Sequence, residues 1–87
     1  MTLKKMLEEL ETAEAKTDRI DEAWENDYEN EELEKAYMEA YKEEHKAFET
    51  LVNEIVKVSC GAIDNKTARM VLIAKRDEVK SLIARIA

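Results

Sequence analysis

The sequence contains no proline, one glycine and one cysteine in 87 residues. Because proline and glycine are the residues that interrupt helices, their scarcity favours long helices and an all-α fold. The lone Cys60 excludes a disulfide within the chain, and together with the lack of an apolar leader it predicts a reduced, cytoplasmic protein. A chain this short buries a small core, so we expect further copies to supplement it.

Long apolar runs are also missing, and the longest mainly apolar stretches without charge are Val58–Ile63 and Met70–Ala74. A membrane-spanning helix needs roughly 18–20 such residues, so we expect no membrane partner. Apolar residues nevertheless make up 45% of the chain, which is too many for a disordered segment. The sequence therefore predicts one folded domain over residues 1–87.

The charge is unevenly distributed along the chain, whose formal net charge is −7. Residues 1–56 carry seven basic and eighteen acidic side chains, whereas residues 57–87 carry seven basic and three acidic ones. An acidic protein lacks the basic footprint that long nucleic acids require. The basic segment either holds a small anion or pairs with the acidic part of the same or a neighbouring subunit, and the charge pattern leaves both open.

Apolar periodicity predicts three helices, over residues 1–25, 30–60 and 64–87. The first carries a narrow stripe of apolar or small residues every three or four positions, which is typical of a helix packed on one partner. The second has a wider stripe that becomes strongly apolar toward its end. The stripe of the first helix consists of Leu3, Leu7, Leu10, Ala13, Thr17, Ile20 and Trp24.

The helix ends are marked by residues with specific backbone roles. Asn30 is a favourable N-cap for the second helix, with Glu31 and Glu32 well placed in its first turn. Gly61 suits the left-handed position that follows a helix, and Asp64 is the predicted N-cap of the third helix. We expect the third helix to run without interruption to the last residue.

The turn at Gly61 predicts a long antiparallel hairpin of the second and third helices, roughly 36–45 Å in length at about 1.5 Å per residue. Two helices do not close a core. The N-terminal helix must therefore fold back on this hairpin, or hairpins from several copies must pack together. We expect both, and so a homo-oligomeric helical bundle.

Motifs for catalysis and for metal binding are missing. His45 has no glutamate three residues before it, so the Glu-x-x-His pattern of di-iron bundles is absent. Cys60 has no Cys-x-x-Cys companion, and a single glycine does not make a phosphate-binding loop. We therefore expect a binding protein that is not an enzyme and that holds no metal or cofactor.

One candidate site lies in the second helix. Tyr37 and Tyr41 are one turn apart and are followed by Lys42, His45 and Lys46. Flat rings beside cations suit a nucleobase and its phosphate, which they bind by stacking and by charge-assisted hydrogen bonds. The same tyrosines also fit the core of a bundle with the basic residues on its solvated flank, and both interpretations remain open.

The other candidate site is the start of the third helix. Its free backbone N–H groups form an anion site in principle, and Lys66 and Arg69 share a face there. Asp64 would occupy one of those N–H groups and repel an anion, so a capped helix with exposed basic residues is the alternative. The candidate ligand-binding residues are thus Tyr37, Tyr41, Lys42, His45, Lys46, Asn65, Lys66 and Arg69.

The closing segment opens with Asn65 and Lys66, carries Met70 four residues after the lysine and ends as Ile86-Ala87. This ungapped pattern over about 24 of the 87 residues resembles the closing helix of the phage anti-CBASS cyclic-oligonucleotide sponges, which are small all-helical proteins built on a helical hairpin. The family's Ser and Thr on the ligand-facing side are replaced here by Arg69 and Ile73.

The resemblance implies a phage protein in the host-cell cytoplasm that assembles as a homohexamer. It would sequester cyclic di- or trinucleotide second messengers without cleaving them and so antagonise the bacterial anti-phage defence called CBASS. In the family an aromatic residue stacks on a base and a lysine meets phosphate, for which Tyr37 or Tyr41 and Lys42 or Lys46 are the nearest matches.

A different function also fits the sequence. An oligomeric helical adaptor or scaffold would bind another protein through the amphipathic stripe of the N-terminal helix. This hypothesis gives the tyrosines and the basic residues no special role, and it explains the acidic faces by solubility alone.

Overall fold

The computed structural model describes residues 2–27 and 29–86, and Met1, Tyr28 and Ala87 lie outside them. Within this range the chain forms four helices and no strand, which confirms the all-α prediction. The predicted first and last helical positions, residues 1 and 87, fall on residues that are not described. The helices are α1 (Leu3–Asn26), α2 (Glu31–Val58), α3 (Asn65–Ala74) and α4 (Arg76–Ile86).

Side chains cap the starts of α2 and α3 as predicted. The Asn30 side chain accepts a hydrogen bond from the backbone N–H of Leu33 at 3.2 Å, and the Asp64 side chain accepts one from Thr67 at 2.7 Å. Both caps have extended backbone angles, as an N-cap requires. These ends are set by local chemistry, which explains why the sequence located them.

The end of α2 differs by one residue from the prediction. Cys60, with φ of 55°, is the first left-handed residue after α2, and Gly61 follows it with φ of 83°. The N–H of Cys60 donates to the carbonyl of Lys57 at 3.1 Å, and that of Gly61 donates to Val56 at 3.3 Å. This pair of bonds is a Schellman motif with Cys60 at the position that usually holds glycine. Gly61 is left-handed as predicted, but it lies one residue beyond the position to which the sequence assigned it.

The first helix folds back on the second, and the two pack antiparallel. Nζ of Lys16 in α1 lies 3.4 Å from Oε2 of Glu43 in α2. Leu10 of α1 and Leu51 of α2 are both fully buried in the same core. The stripe of α1 is therefore used within its own chain. The buried core cluster consists of Leu7, Leu10, Leu51, Val52, Ala68, Leu72 and Ile83.

The predicted third helix is interrupted, so its continuity over residues 64–87 was wrong. Lys75 separates α3 from α4 with φ of −132° and ψ of 43°, which are not helical angles. Ala74, Lys75 and Arg76 all favour helix, so the residues at the break do not dictate it, although Asp77 and Glu78 suit the first turn of a new helix. Tertiary contacts act there instead, because the Arg76 side chain binds both the Leu72 carbonyl and Glu14 of α1.

α3 packs on α2, and α4 packs on α1 and α3. The basic C-terminal segment thereby meets the acidic part of its own chain, which is one of the two outcomes that the charge pattern left open. No helix in the described ranges has both the length and the apolar character needed to cross a membrane. The ion pairs between the two parts are Arg69–Glu49, Arg76–Glu14 and Lys80–Glu11.

Candidate functional site

Three aromatic side chains form a continuous series, here called the aromatic ladder (Trp24, Tyr37 and Tyr41). The ring centroids of Trp24 and Tyr37 are 5.4 Å apart, and those of Tyr37 and Tyr41 are 6.3 Å apart. Both pairs are stacked with interplanar angles near 30°. Tyr37 is half-buried, whereas Tyr41 is 53% exposed. The core interpretation thus fits Tyr37, and Tyr41 keeps an open ring at the end of the ladder.

Polar and basic residues continue from the exposed end of the ladder. His45 lies one turn beyond Tyr41, and its Nε2 is 3.8 Å from Oε1 of Glu49. Glu49 in turn accepts hydrogen bonds from the guanidinium of Arg69, whose Nε donates to the side chain of Asn65. We call these the binding strip (Tyr41, His45, Glu49, Arg69 and Asn65). It brings four predicted site residues from two helices onto one continuous surface.

The charges of the binding strip are already partly compensated. The hydrogen bonds from Arg69 hold the pKa of Glu49 below its usual value, and the same bonds raise the pKa of Arg69. The guanidinium also lies 5.9 Å from the centroid of the Phe48 ring, which is a cation–π distance. An anionic ligand at Arg69 must therefore compete with the carboxylate of Glu49.

A cleft of about 230 Å³ adjoins the binding strip between α1, α2 and the α3–α4 junction. Its polar wall is an Arg76–Glu14 pair in which both terminal guanidinium nitrogens bind the carboxylate, at 2.6 and 3.1 Å. Pockets that enclose drug-sized ligands measure about 300–1,000 Å³, so this cleft holds only part of such a molecule. Its lining is Leu10, Glu14, Tyr41, Glu44, His45, Phe48, Ile73 and Arg76.

Glu44 lines the cleft, and the pKa of its carboxylate is higher than usual. Partial burial raises its pKa first, and repulsion by Glu14 and Asp18 adds to that effect. A hydrogen bond with Thr17 and the charge of Arg76 act in the opposite direction but do not cancel it. The charged form of Glu44 therefore costs the folded state free energy at neutral pH.

Replacing the Glu44 carboxylate should change the free energy of unfolding by an amount that depends on pH. Glu44→Gln should raise the free energy of unfolding at pH 7, by about 0.5 kcal/mol or less after solvent screening. The gain persists above the raised pKa of Glu44 in the folded state. It declines as the pH falls through that value and vanishes below the ordinary pKa of a glutamate side chain, where both states are protonated.

Thermal unfolding between pH 3 and pH 8 measures this effect. Glu39→Gln is the matched control, because Glu39 lies on the same helix with an exposed side chain. A stabilisation that stays constant over the whole pH range, or a destabilisation at pH 7, would contradict the assignment.

Three of the predicted basic residues do not join the binding strip. Lys46 lines a separate groove with Met6, Glu9 and Thr50 on the side of α2 that faces α1. Lys42 and Lys66 are exposed to solvent. The structure therefore divides the predicted set, with one group in the strip and these lysines outside it.

The start of α3 is occupied by its own cap. Asp64 accepts from Thr67, and the hydrogen bonds from that residue hold the pKa of Asp64 below its usual value. A charged carboxylate thus sits where an anion would have to bind. The geometry favours the capped-helix alternative at this helix start. Asn65 belongs to the binding strip instead, through the hydrogen bond that its side chain accepts from Arg69.

Sequence reasoning missed Glu14 and Arg76, which form the polar wall of the cleft. They are 62 positions apart in the chain, and no local pattern connects them. The one available signal was the charge asymmetry, which predicts that basic and acidic segments meet without saying which residues pair.

The fold and the site define a small helical protein with an open surface cleft beside an aromatic and basic strip. No family model matches the chain, and neither a curated protein nor a solved structure does. Across residues 2–27 and 29–86, no group of three or more His, Cys, Asp or Glu side chains is placed to hold a metal ion.

Proposed function

We propose that the protein binds cyclic di- or trinucleotides and sequesters them without cleavage, as the resemblance of its closing segment implies. The observation that carries this proposal is the end of the aromatic ladder, where the exposed ring of Tyr41 adjoins His45 and lies on the same surface as Arg69. Positions 69 and 73, which correspond to the family's ligand-facing positions, are both on this side of the molecule, since Arg69 contacts Glu49 and Ile73 lines the cleft with Tyr41.

In this proposal a nucleobase stacks on the open ring of Tyr41, a contact that is worth about 1–3 kcal/mol per base. A phosphate of the ligand then takes the place of the Glu49 carboxylate on Arg69, with His45 as the neighbouring donor. No step requires a nucleophile or a general base, because the ligand is held and not converted.

The size of the cleft connects ligand binding with self-association. At about 230 Å³ it takes up only part of a cyclic dinucleotide, and in this proposal a second copy of the chain supplies the remainder of the site. A ligand with two-fold symmetry suits a site shared by two identical chains. We therefore propose a homo-oligomer, a homohexamer by the resemblance, in which α2 and the α3–α4 segment provide the hairpin.

Calorimetric titration with a panel of cyclic di- and trinucleotides tests the function. We expect saturable binding and a higher melting temperature, since a ligand at 100 times its dissociation constant stabilises a protein by about 2.7 kcal/mol. Linear dinucleotides of the same base composition are the control. Absence of heat and of a thermal shift across the panel at high micromolar ligand would exclude the function, and a monomer in sedimentation equilibrium would exclude the shared site.

The helical adaptor remains the second candidate, but on a different surface from the one that the sequence indicated. The α1 stripe is unavailable because Leu7 and Leu10 are buried in the core. An apolar groove of about 280 Å³, lined by residues of all four helices, favours association instead, with Val58, Ile63 and Leu82 exposed along it. An adaptor would leave the whole cyclic-nucleotide panel without effect.

A further inference from the structure

The junction of α3 and α4 is a break in a segment whose sequence favours a single helix. Neither glycine nor proline occurs between residues 62 and 87. The helical hydrogen bonds continue on both sides of Lys75, whose N–H donates to Val71 at 2.9 Å and whose carbonyl accepts from Val79 at 3.1 Å. The break is thus confined to one residue, and a change of its backbone angles would straighten the segment.

Arg76 supplies the contacts that hold the break. Its Nε donates to the carbonyl of Leu72 at 2.8 Å, and its two terminal nitrogens bind Glu14 of α1. In an uninterrupted helix the Leu72 carbonyl would accept from the backbone N–H of Arg76. The side chain therefore satisfies the acceptor that the break releases, and the same side chain attaches α4 to α1.

The apolar face of the segment is compatible with both shapes. Ala68, Leu72, Val79 and Ile83 are spaced by four, seven and four positions, which places them on one face of a straight helix. Ala68, Leu72 and Ile83 are also buried in the broken form. A straight helix would thus present the same face to a partner.

The α1–α2 pair provides room for that face. Among described residues, the ion pairs and shared cavities of α3 and α4 involve α1 between Leu3 and Glu14 and α2 between Tyr41 and Val58. α3 runs antiparallel to α2, with Arg69 at Glu49 and Ile73 beside Tyr41. Continued in that direction, residues 65–86 measure about 33 Å and extend along most of α2. They would cover its half-buried apolar positions Leu33, Ala36 and Tyr37.

We propose that the α3–α4 segment is a two-position switch with the Arg76–Glu14 ion pair as its latch. In the latched position α4 turns back along α1. In the released position residues 65–86 form one helix along α2, where they complete a three-helix bundle and cover the aromatic ladder. This inference does not rest on the proposed ligand, but the released helix and a nucleobase stacked on Tyr41 would exclude each other.

Distance measurements between two spin labels test the switch in the full chain. Lys5→Cys and Ser81→Cys in a Cys60→Ser background place labels at exposed positions of α1 and α4. In the latched form the labels lie near the same end of α1, and release should lengthen their separation by roughly 20 Å at 1.5 Å per residue. We expect a single short distance with Glu14 intact and a second, long distance in Glu14→Gln.

Glu11→Gln is the matched control, because it removes the neighbouring α1–α4 ion pair with Lys80 but leaves the latch. It should keep the short distance alone. Lys75→Gly added to Glu14→Gln should reduce the long population about fivefold, because glycine disfavours the straight helix. A helical Glu14→Gln protein with only the short distance, or equal effects of Glu11→Gln and Glu14→Gln, would overturn the proposal. Loss of helicity in Glu14→Gln would also overturn it, since release should preserve the helices.

Discussion

Leu72→Ala is expected to lower the free energy of unfolding by about 2–5 kcal/mol. Leu72 is fully buried in the core cluster, which also contains Leu10 of α1 and Leu51 of α2. A domain of this size has a total stability on the order of 4–13 kcal/mol, so the loss is a large part of the whole. Urea titration followed by circular dichroism measures it.

Leu82→Ala is the matched control for this experiment. It removes the same atoms from a side chain that is 60% exposed on α4, so its cost in the monomer should be well under 1 kcal/mol. Equal losses for the two variants at low protein concentration would mean that Leu72 of α3 is not part of the folded core.

The largest effect on binding is expected at the exposed end of the aromatic ladder. Tyr41→Ala should weaken cyclic-nucleotide binding about 5- to 150-fold, because it removes a stacking contact of about 1–3 kcal/mol. Glu49→Gln should act in the opposite direction and strengthen binding, because it removes the charge that competes with a phosphate for Arg69.

Opposite changes in affinity for Tyr41→Ala and Glu49→Gln distinguish a binding site from general damage to the fold. Glu39→Gln, on the same helix, is the control for the loss of one negative charge. Calorimetry on folded protein provides the affinities. Unchanged affinity in Tyr41→Ala, or weaker binding in Glu49→Gln, would show that the ligand does not use the binding strip.

Part of the candidate site was predictable because it lies within one helix. The spacing of four residues between Tyr37, Tyr41 and His45 places them on one face of any α-helix, and the structure keeps them together. The stacking of Tyr37 on Trp24 required the return of α1 along α2. The separate position of Lys46 likewise depends on which side of α2 faces α1, which spacing alone does not reveal.

The ion pairs of the site were not predictable residue by residue. Charge asymmetry indicated that the C-terminal segment would meet acidic residues, but it did not select Glu49 for Arg69 or Glu14 for Arg76. Those choices follow from the register in which the helices pack. The interruption at Lys75 follows from the same cause, since its neighbours all favour helix.

Composition, spacing and capping residues were sufficient for the all-α class, for the starts of α2 and α3, and for the left-handed turn near Gly61. Each of these depends on interactions between residues a few positions apart, so the local sequence contains the information. The fold-back of α1, the break at Lys75 and the pairing of Arg69 and Arg76 depend on residues 20 to more than 60 positions apart. Only packing of the helices against one another decides such contacts, because burial and charge pairing act through space and not along the chain.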